Sequence, residues 1–169
     1  MNKCVFLDRD GVINKDRVDY VYRVSDLLIL DGVKEALATL KKNNYLLIVI
    51  TNQSGIDRKI FTEKDVAMVH DAIQELTGNY IDEFYYSPYH RLVSNSLSAK
   101  PGSLLFEKAI SKYNIDIKSS WMVGDRFRDL IPAEKLGLNT ILVENDYNES
   151  RENFMSRNLN DAVNQFIIK

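Results

Sequence analysis

A chain of 169 residues is long enough for one well-buried domain over residues 1–169, and 22 basic against 24 acidic side chains, with a sequence pI near 5.7, leave no basic footprint for a nucleic-acid partner. Hydrophobic residues make up 45% of the chain without an uninterrupted run of membrane-spanning length, and the start MNKCVFLDRD lacks the apolar core of a signal peptide. The sequence therefore predicts a cytoplasmic protein, off the membrane, monomeric or weakly self-associating, with a small-molecule partner.

Short apolar runs alternate with longer amphipathic ones, the pattern of successive βα units around a parallel sheet. The first strand is expected over residues 3–8. Cys4, the only cysteine, sits inside it and reads as inert core, and alone it can form neither an internal disulfide nor a cysteine-rich zinc cage. The strand ends in Asp8, with Asp10 two residues on and Gly11 behind it. Paired acids at the end of a buried strand repel one another, so they persist where a cation or strong donors neutralise them; a hard dication such as Mg²⁺ fits, and the plain alternative is an acidic turn.

An irregular stretch over residues 15–30 leads to a helix over 32–44, whose Val33, Ala36, Leu37 and Leu40 form one apolar stripe. A second strand over 45–51 ends in Thr51, followed by Asn52, Gln53, Ser54 and Gly55, a donor-rich cluster able to cradle an anion or simply to turn the chain. Thr62 and Asp65 form an N-cap pair for a helix over 62–78, although Glu or Gln would suit the third position better. A third strand over 81–87 and a further irregular stretch, 90–102, bring Lys100 to the head of a helix over 103–113, where ammonium and helix dipole could both hold a phosphate. A fourth strand over 119–125 again ends in an acid, Asp125, with Asp129 one helical turn further on. A helix over 126–136 stopped by Gly137, a fifth strand over 139–143 and a helix over 159–168 complete the chain.

The expected fold is an α/β, doubly wound (Rossmann-like), mostly parallel sheet of about five strands with helices on both faces. Its carboxyl edge would gather Asp8, Thr51, Lys100 and Asp125, with both irregular stretches above them. A carboxylate nucleophile, a divalent cation, and positive or hydrogen-bonding groups around the transferring oxygens are what phosphoryl transfer requires.

FLDRDGVIN, TNQSG, KPG and MVGDRFRD together resemble the four ordered motifs of the haloacid-dehalogenase-like phosphatases, over roughly the first 145 residues. Tyr20 and Val21, the DGV at Asp31, and TNQSGI before Phe61 and Thr62 narrow the resemblance to a branch with a minimal cap. That branch holds the D-glycero-D-manno-heptose 1,7-bisphosphate 7-phosphatases and the histidinol-phosphate phosphatases.

The resemblance implies that Asp8 attacks phosphorus, that Asp10 protonates the leaving oxygen and then activates water, and that Mg²⁺ is held by the Asp8 side chain, the Asp10 carbonyl and Asp125, with Asp129 behind them. It implies that Thr51 and Lys100 hold the phosphoryl oxygens with backbone donors from Arg9 and Asn52, and that Gln53, Ser54, Asp16, Asp19, Ala99 and Arg126 surround the substrate. Two departures stand out. The zinc ligands expected in the loop before the lysine are replaced by Ser87, Tyr89, Ser96 and Ser98, so no zinc is expected, and packing of Tyr86, Pro88, Tyr89 and Leu92 would order the loop. An arginine expected directly before the lysine is Ala99, a loss for which Arg58, Arg91 or Arg126 would compensate. Three functions follow from the resemblance: heptose bisphosphate hydrolysis, histidinol-phosphate hydrolysis, or a catalytically silent member that binds a phosphorylated ligand.

Overall fold

The computed structural model describes residues 1–144 and 155–168. Among them, β1 (Cys4–Leu7), β2 (Leu46–Asn52), β3 (Glu83–Ser87), β4 (Trp121–Gly124), β5 (Asn139–Val143) and β6 (Met155–Ser156) form one sheet in the order β3-β2-β1-β4-β5-β6, every pair parallel. The helices are α1 (Val33–Lys42), α2 (Glu63–Thr77), α3 (Leu104–Tyr113), α4 (Phe127–Leu136) and α5 (Leu159–Ala162), the last running on as a wider π turn over Val163–Ile167. No helix among the described residues is long and apolar enough to cross a membrane.

Six strands replace the expected five. β6 is only two residues long, with too little sequence to show a period, and pairing with Leu142 and Val143 of β5 defines it. The other elements fall where expected, with ends shifted by a residue or two; the stretch before β4 begins as a 3₁₀ turn, Ile117–Ser119, so that strand starts at Trp121.

Because successive strand residues point to opposite faces, each strand feeds two cores. Val5, Leu7, Leu47, Val49, Val123 and Ile141 pack with α1, α2 and α5 residues on one face. Cys4, Phe6, Ile48, Ile50, Met122 and Leu142 pack with Phe106 of α3 and Leu130 of α4 on the other. The strands are therefore apolar almost without interruption, as a sheet covered on both sides demands.

After β1 the chain adds strands on one side, then returns to add β4 on the other. The strand order reverses at β1 and β4, and an open parallel sheet has its ligand crevice at the carboxyl ends of those two strands.

Candidate active site

Register sets which residues meet in that crevice. Leu7 pairs with Val49 of β2 and with Val123 of β4, so Asp8 emerges between the ends of both neighbours, and its N–H donates to the Val123 carbonyl at 3.0 Å. Thr51 stands near the end of β2, Asp125 directly follows β4, and Lys100 arrives from the connection after β3. These four side chains and Asp10 line one cavity of about 810 Å³. Asp16, Arg17 and Tyr20 from one irregular stretch, and His90, Arg91 and Ala99 from the other, with Tyr89 just before it, form its upper walls, as the carboxyl-edge placement of both stretches predicts.

The floor is buried and charged. Lys100 Nζ lies 2.8 Å from Asp8 Oδ1 and 2.9 Å from Asp129 Oδ1, and donates to the Ile50 carbonyl at 2.6 Å. Burial works against its charge, but Asp129 and Asp8 outweigh burial and hold the ammonium above its ordinary pKa. Burial raises the Asp8 carboxyl, Asp129 adds to that, and Lys100 opposes it. Burial and the neighbouring Asp8 and Asp129 raise Asp125 as well. α3 begins only at Leu104, so Lys100 acts from a loop and not as the head of the helix.

Oxygen atoms of Asp8, Asp125 and Asp129 lie within 4.8 Å of one another. Close approach is built into the backbone: Gly11 has φ of 87°, and a Cβ there would collide with the Asp125 carboxylate, while one at Gly124 would strike Asp129. Lys100 faces Asp8 and Asp129, while Asp125 has Arg126 Nε at 3.4 Å, from a guanidinium shared with Asp16; the three buried carboxylates still outnumber the cations beside them, and the donors are all hard oxygens. The set fits Mg²⁺, which keeps part of its water shell and takes one or two carboxylates. Asp129 is already engaged: Oδ1 faces Lys100 and Oδ2 accepts the Arg126 N–H at 2.9 Å, closing the first turn of α4.

The structure differs from the sequence expectation at several substrate positions. Arg9 and Gln53 are buried and do not line the cavity; their side chains turn onto Asp10. The Arg9 N–H is also taken, donating to Asp8 Oδ1 at 2.7 Å. Asp19 points into solvent and pairs with Arg17 at 3.0 Å. Asn52 lines the cavity and clamps the motif lysine, accepting the Lys100 N–H at 2.9 Å and donating to the Lys100 carbonyl at 3.1 Å. Ser54, Asp16, Ala99 and Arg126 do line the cavity, with Arg126 held 3.0 Å from Asp16.

The loop after β3 is ordered differently from expectation. Leu92 and Tyr89 are exposed, so they pack too little to fix it. Hydroxyls hold it instead: Ser98 Oγ lies 2.9 Å from both Ser87 Oγ and Ser96 Oγ, and the His90 N–H donates to Asp57 at 3.0 Å. Asn14 and Arg128 belong to the site without having been assigned to it by the sequence. Asn14 closes FLDRDGVIN and reaches Asp10, and Arg128 lines the cavity from the first turn of α4. Asn14 and Arg128 both lie inside quoted motifs, FLDRDGVIN and MVGDRFRD, and that membership is a usable signal for each, although Arg128 alone reads like any arginine on a helix turn.

Comparison with known proteins agrees with this geometry. A model of the haloacid dehalogenase-like hydrolases matches residues 4–137. The chain is 37% identical to a D-glycero-beta-D-manno-heptose-1,7-bisphosphate 7-phosphatase of Haemophilus ducreyi, over 82% of this chain and 80% of that protein. It is 32% identical to the D-glycero-alpha-D-manno form of that enzyme from Campylobacter jejuni, over 97% and 95%. The crystal structure of D,D-heptose 1,7-bisphosphate phosphatase from B. bronchiseptica, complexed with magnesium and phosphate, superposes with a TM-score of 0.88 at 25% identity, covering 96% of this chain and 97% of that one. The sheet order, the acids ending β1 and β4, and these matches place the chain in the haloacid dehalogenase-like hydrolase family.

Proposed function

We propose that the chain is a Mg²⁺-dependent phosphatase that removes the 7-phosphate of D-glycero-D-manno-heptose 1,7-bisphosphate through an aspartyl-phosphate on Asp8. The observation that carries the reading is the buried cluster of Asp8, Lys100 and Asp125 on the floor of an open cavity. An Asp8 oxygen bonds to phosphorus while the bond to the ester oxygen breaks, and Asp10 gives that oxygen its proton. A water then passes a proton to Asp10 and attacks phosphorus, releasing Asp8 and inorganic phosphate. Lys100 and the Thr51 hydroxyl hold the phosphoryl oxygens through both steps. Asp8, Asp125 and the Asp10 carbonyl would hold the magnesium ion, which when bound offsets the charge of the incoming phosphate, with Asp129 supporting from behind.

The substrate assignment rests on the named relatives and on charge at the cavity wall. Arg91 and Arg128 line the cavity, and neither has an acid partner among the described residues, so both are available to a second dianion. Both border the same cavity as Ala99, where the family's arginine is missing. The relatives divide between the alpha and beta forms of the sugar. No zinc belongs to this reading, because the loop that would bind it offers hydroxyls in place of thiolates.

The test is kinetic. kcat/KM is expected to be higher for heptose 1,7-bisphosphate than for histidinol phosphate, with 1-phosphate retained in the product. Preference for histidinol phosphate would move the chain to the other activity of the branch.

A further inference from the structure

The Asp10 carboxylate accepts four hydrogen bonds. Arg9 Nη2 and Asn14 Nδ2 each donate to Oδ1 at 2.9 Å; Arg9 Nε donates to Oδ2 at 3.2 Å and Gln53 Nε2 at 3.0 Å. The donors are fixed in turn. Arg9 is fully buried and its Nη2 also donates to the Val21 carbonyl at 2.8 Å, while Gln53 Nε2 also reaches Thr51 Oγ1 at 3.0 Å. Neither Arg9 nor Gln53 borders the cavity, so neither side chain can touch a substrate there.

A buried guanidinium is a costly way to fill space, because an apolar side chain of similar volume is commonly as stabilising or more so. The cost is visible at Arg9 Nη1, which is buried with no hydrogen-bond partner. What the guanidinium supplies and an apolar group cannot is a planar fork, fixing the plane of a carboxylate through two parallel N–H bonds.

We infer that Arg9 is a positioning residue of the reaction: its fork, with Gln53 as a neutral support beside it, sets the orientation in which Asp10 meets the leaving ester oxygen and then the attacking water. This rests on Asp10 being the proton donor of the proposed function. A misplaced acid fails at short range, so removing the fork slows proton delivery while leaving phosphate binding by Thr51 and Lys100 intact.

An alternative role is purely structural, Arg9 tying Asp10 to the Val21 carbonyl, and leaving-group chemistry separates the two. kcat/KM reports the steps through departure of the leaving group; an alkyl ester needs a proton on that oxygen, whereas p-nitrophenolate leaves without one. Arg9→Lys keeps the charge and loses the fork. It is expected to lower kcat/KM for heptose 1,7-bisphosphate about 100-fold and for p-nitrophenyl phosphate by less than about 5-fold, the selective loss expected when a general acid is misplaced. Equal losses on both esters, or an unchanged alkyl rate, would overturn the inference. Should Arg9→Lys melt near the assay temperature, Arg9→Met, an apolar side chain of similar length, is read by the same pair of esters, and equal losses there overturn it equally. Should the wild type leave heptose bisphosphate untouched, the fault lies with the proposed substrate, and glycerol 3-phosphate serves as the alkyl ester.

Discussion

At Lys100 a single buried ammonium answers two carboxylates, Asp8 and Asp129, and caps the Ile50 carbonyl. Removing one partner of a buried ion cluster costs more than the cluster contributes, because the others stay behind unpaired. Lys100→Met is therefore expected to lower the unfolding free energy by about 3 kcal/mol in metal-free buffer, measured by urea denaturation; an unchanged midpoint would contradict this electrostatic account. On the cavity wall, Arg91→Ala and Arg128→Ala should each raise KM for heptose bisphosphate by about 10-fold or more, the loss of a charge-assisted hydrogen bond, and leave KM for a monophosphate ester nearly unchanged. Equal effects on both esters would place these arginines at the reacting phosphate instead. Single residues are legible in the sequence where chemistry forces a type at a strand end, as with Asp8, Thr51 and Asp125. Sequence gives Arg9 a backbone role and places Gln53 beside the substrate because their motif neighbours face it; that both side chains turn inward onto Asp10 is a property of the folded loops.

α2 lies against β3 through His70, which stacks on Phe84 at 4.4 Å and meets Tyr86 edge-on at 6.1 Å. Burial, aided by the Arg9 charge, pushes the His70 pKa down from 6.5 to about 3. The folded chain thus resists a proton that the unfolded chain accepts, so the stability due to neutral His70 is complete above pH 6.5 and lost progressively as pH falls from there toward 3. His70→Phe keeps a ring for the stack and removes the titration. Between pH 7 and pH 5 it should lose about 2 kcal/mol less stability than the wild type, followed by denaturant midpoints; parallel losses would show that His70 is protonated in the fold. Elements with a local signal are readable in advance. Thr62 and Asp65 do cap α2 reciprocally, with Thr62 N–H to Asp65 Oδ2 at 2.8 Å and Asp65 N–H back to Thr62 Oγ1 at 3.3 Å. β6 and the Ser87, Ser96 and Ser98 hydroxyl chain are not, since one needs a neighbouring strand and the other needs an irregular loop to bring Ser98 back to the end of β3.

Over the whole molecule, two sheet faces filled by apolar side chains carry one polar edge, and the reversal of strand order at β1 and β4 puts Asp8 and Asp125 side by side. Alternating apolar periods make that architecture legible; the sixth strand and the inward supports of Asp10 require the fold itself. The central claim is that this edge is a Mg²⁺-dependent phosphatase centre with Asp8 as nucleophile. Phosphate release from p-nitrophenyl phosphate, measured for wild type and Asp8→Asn with Mg²⁺ and with excess chelator, tests it directly. The account predicts release by the wild type with Mg²⁺ alone, and none by Asp8→Asn, whose amide can neither attack phosphorus nor serve a hard cation well. Full activity in Asp8→Asn, or in the chelated wild type, would contradict it.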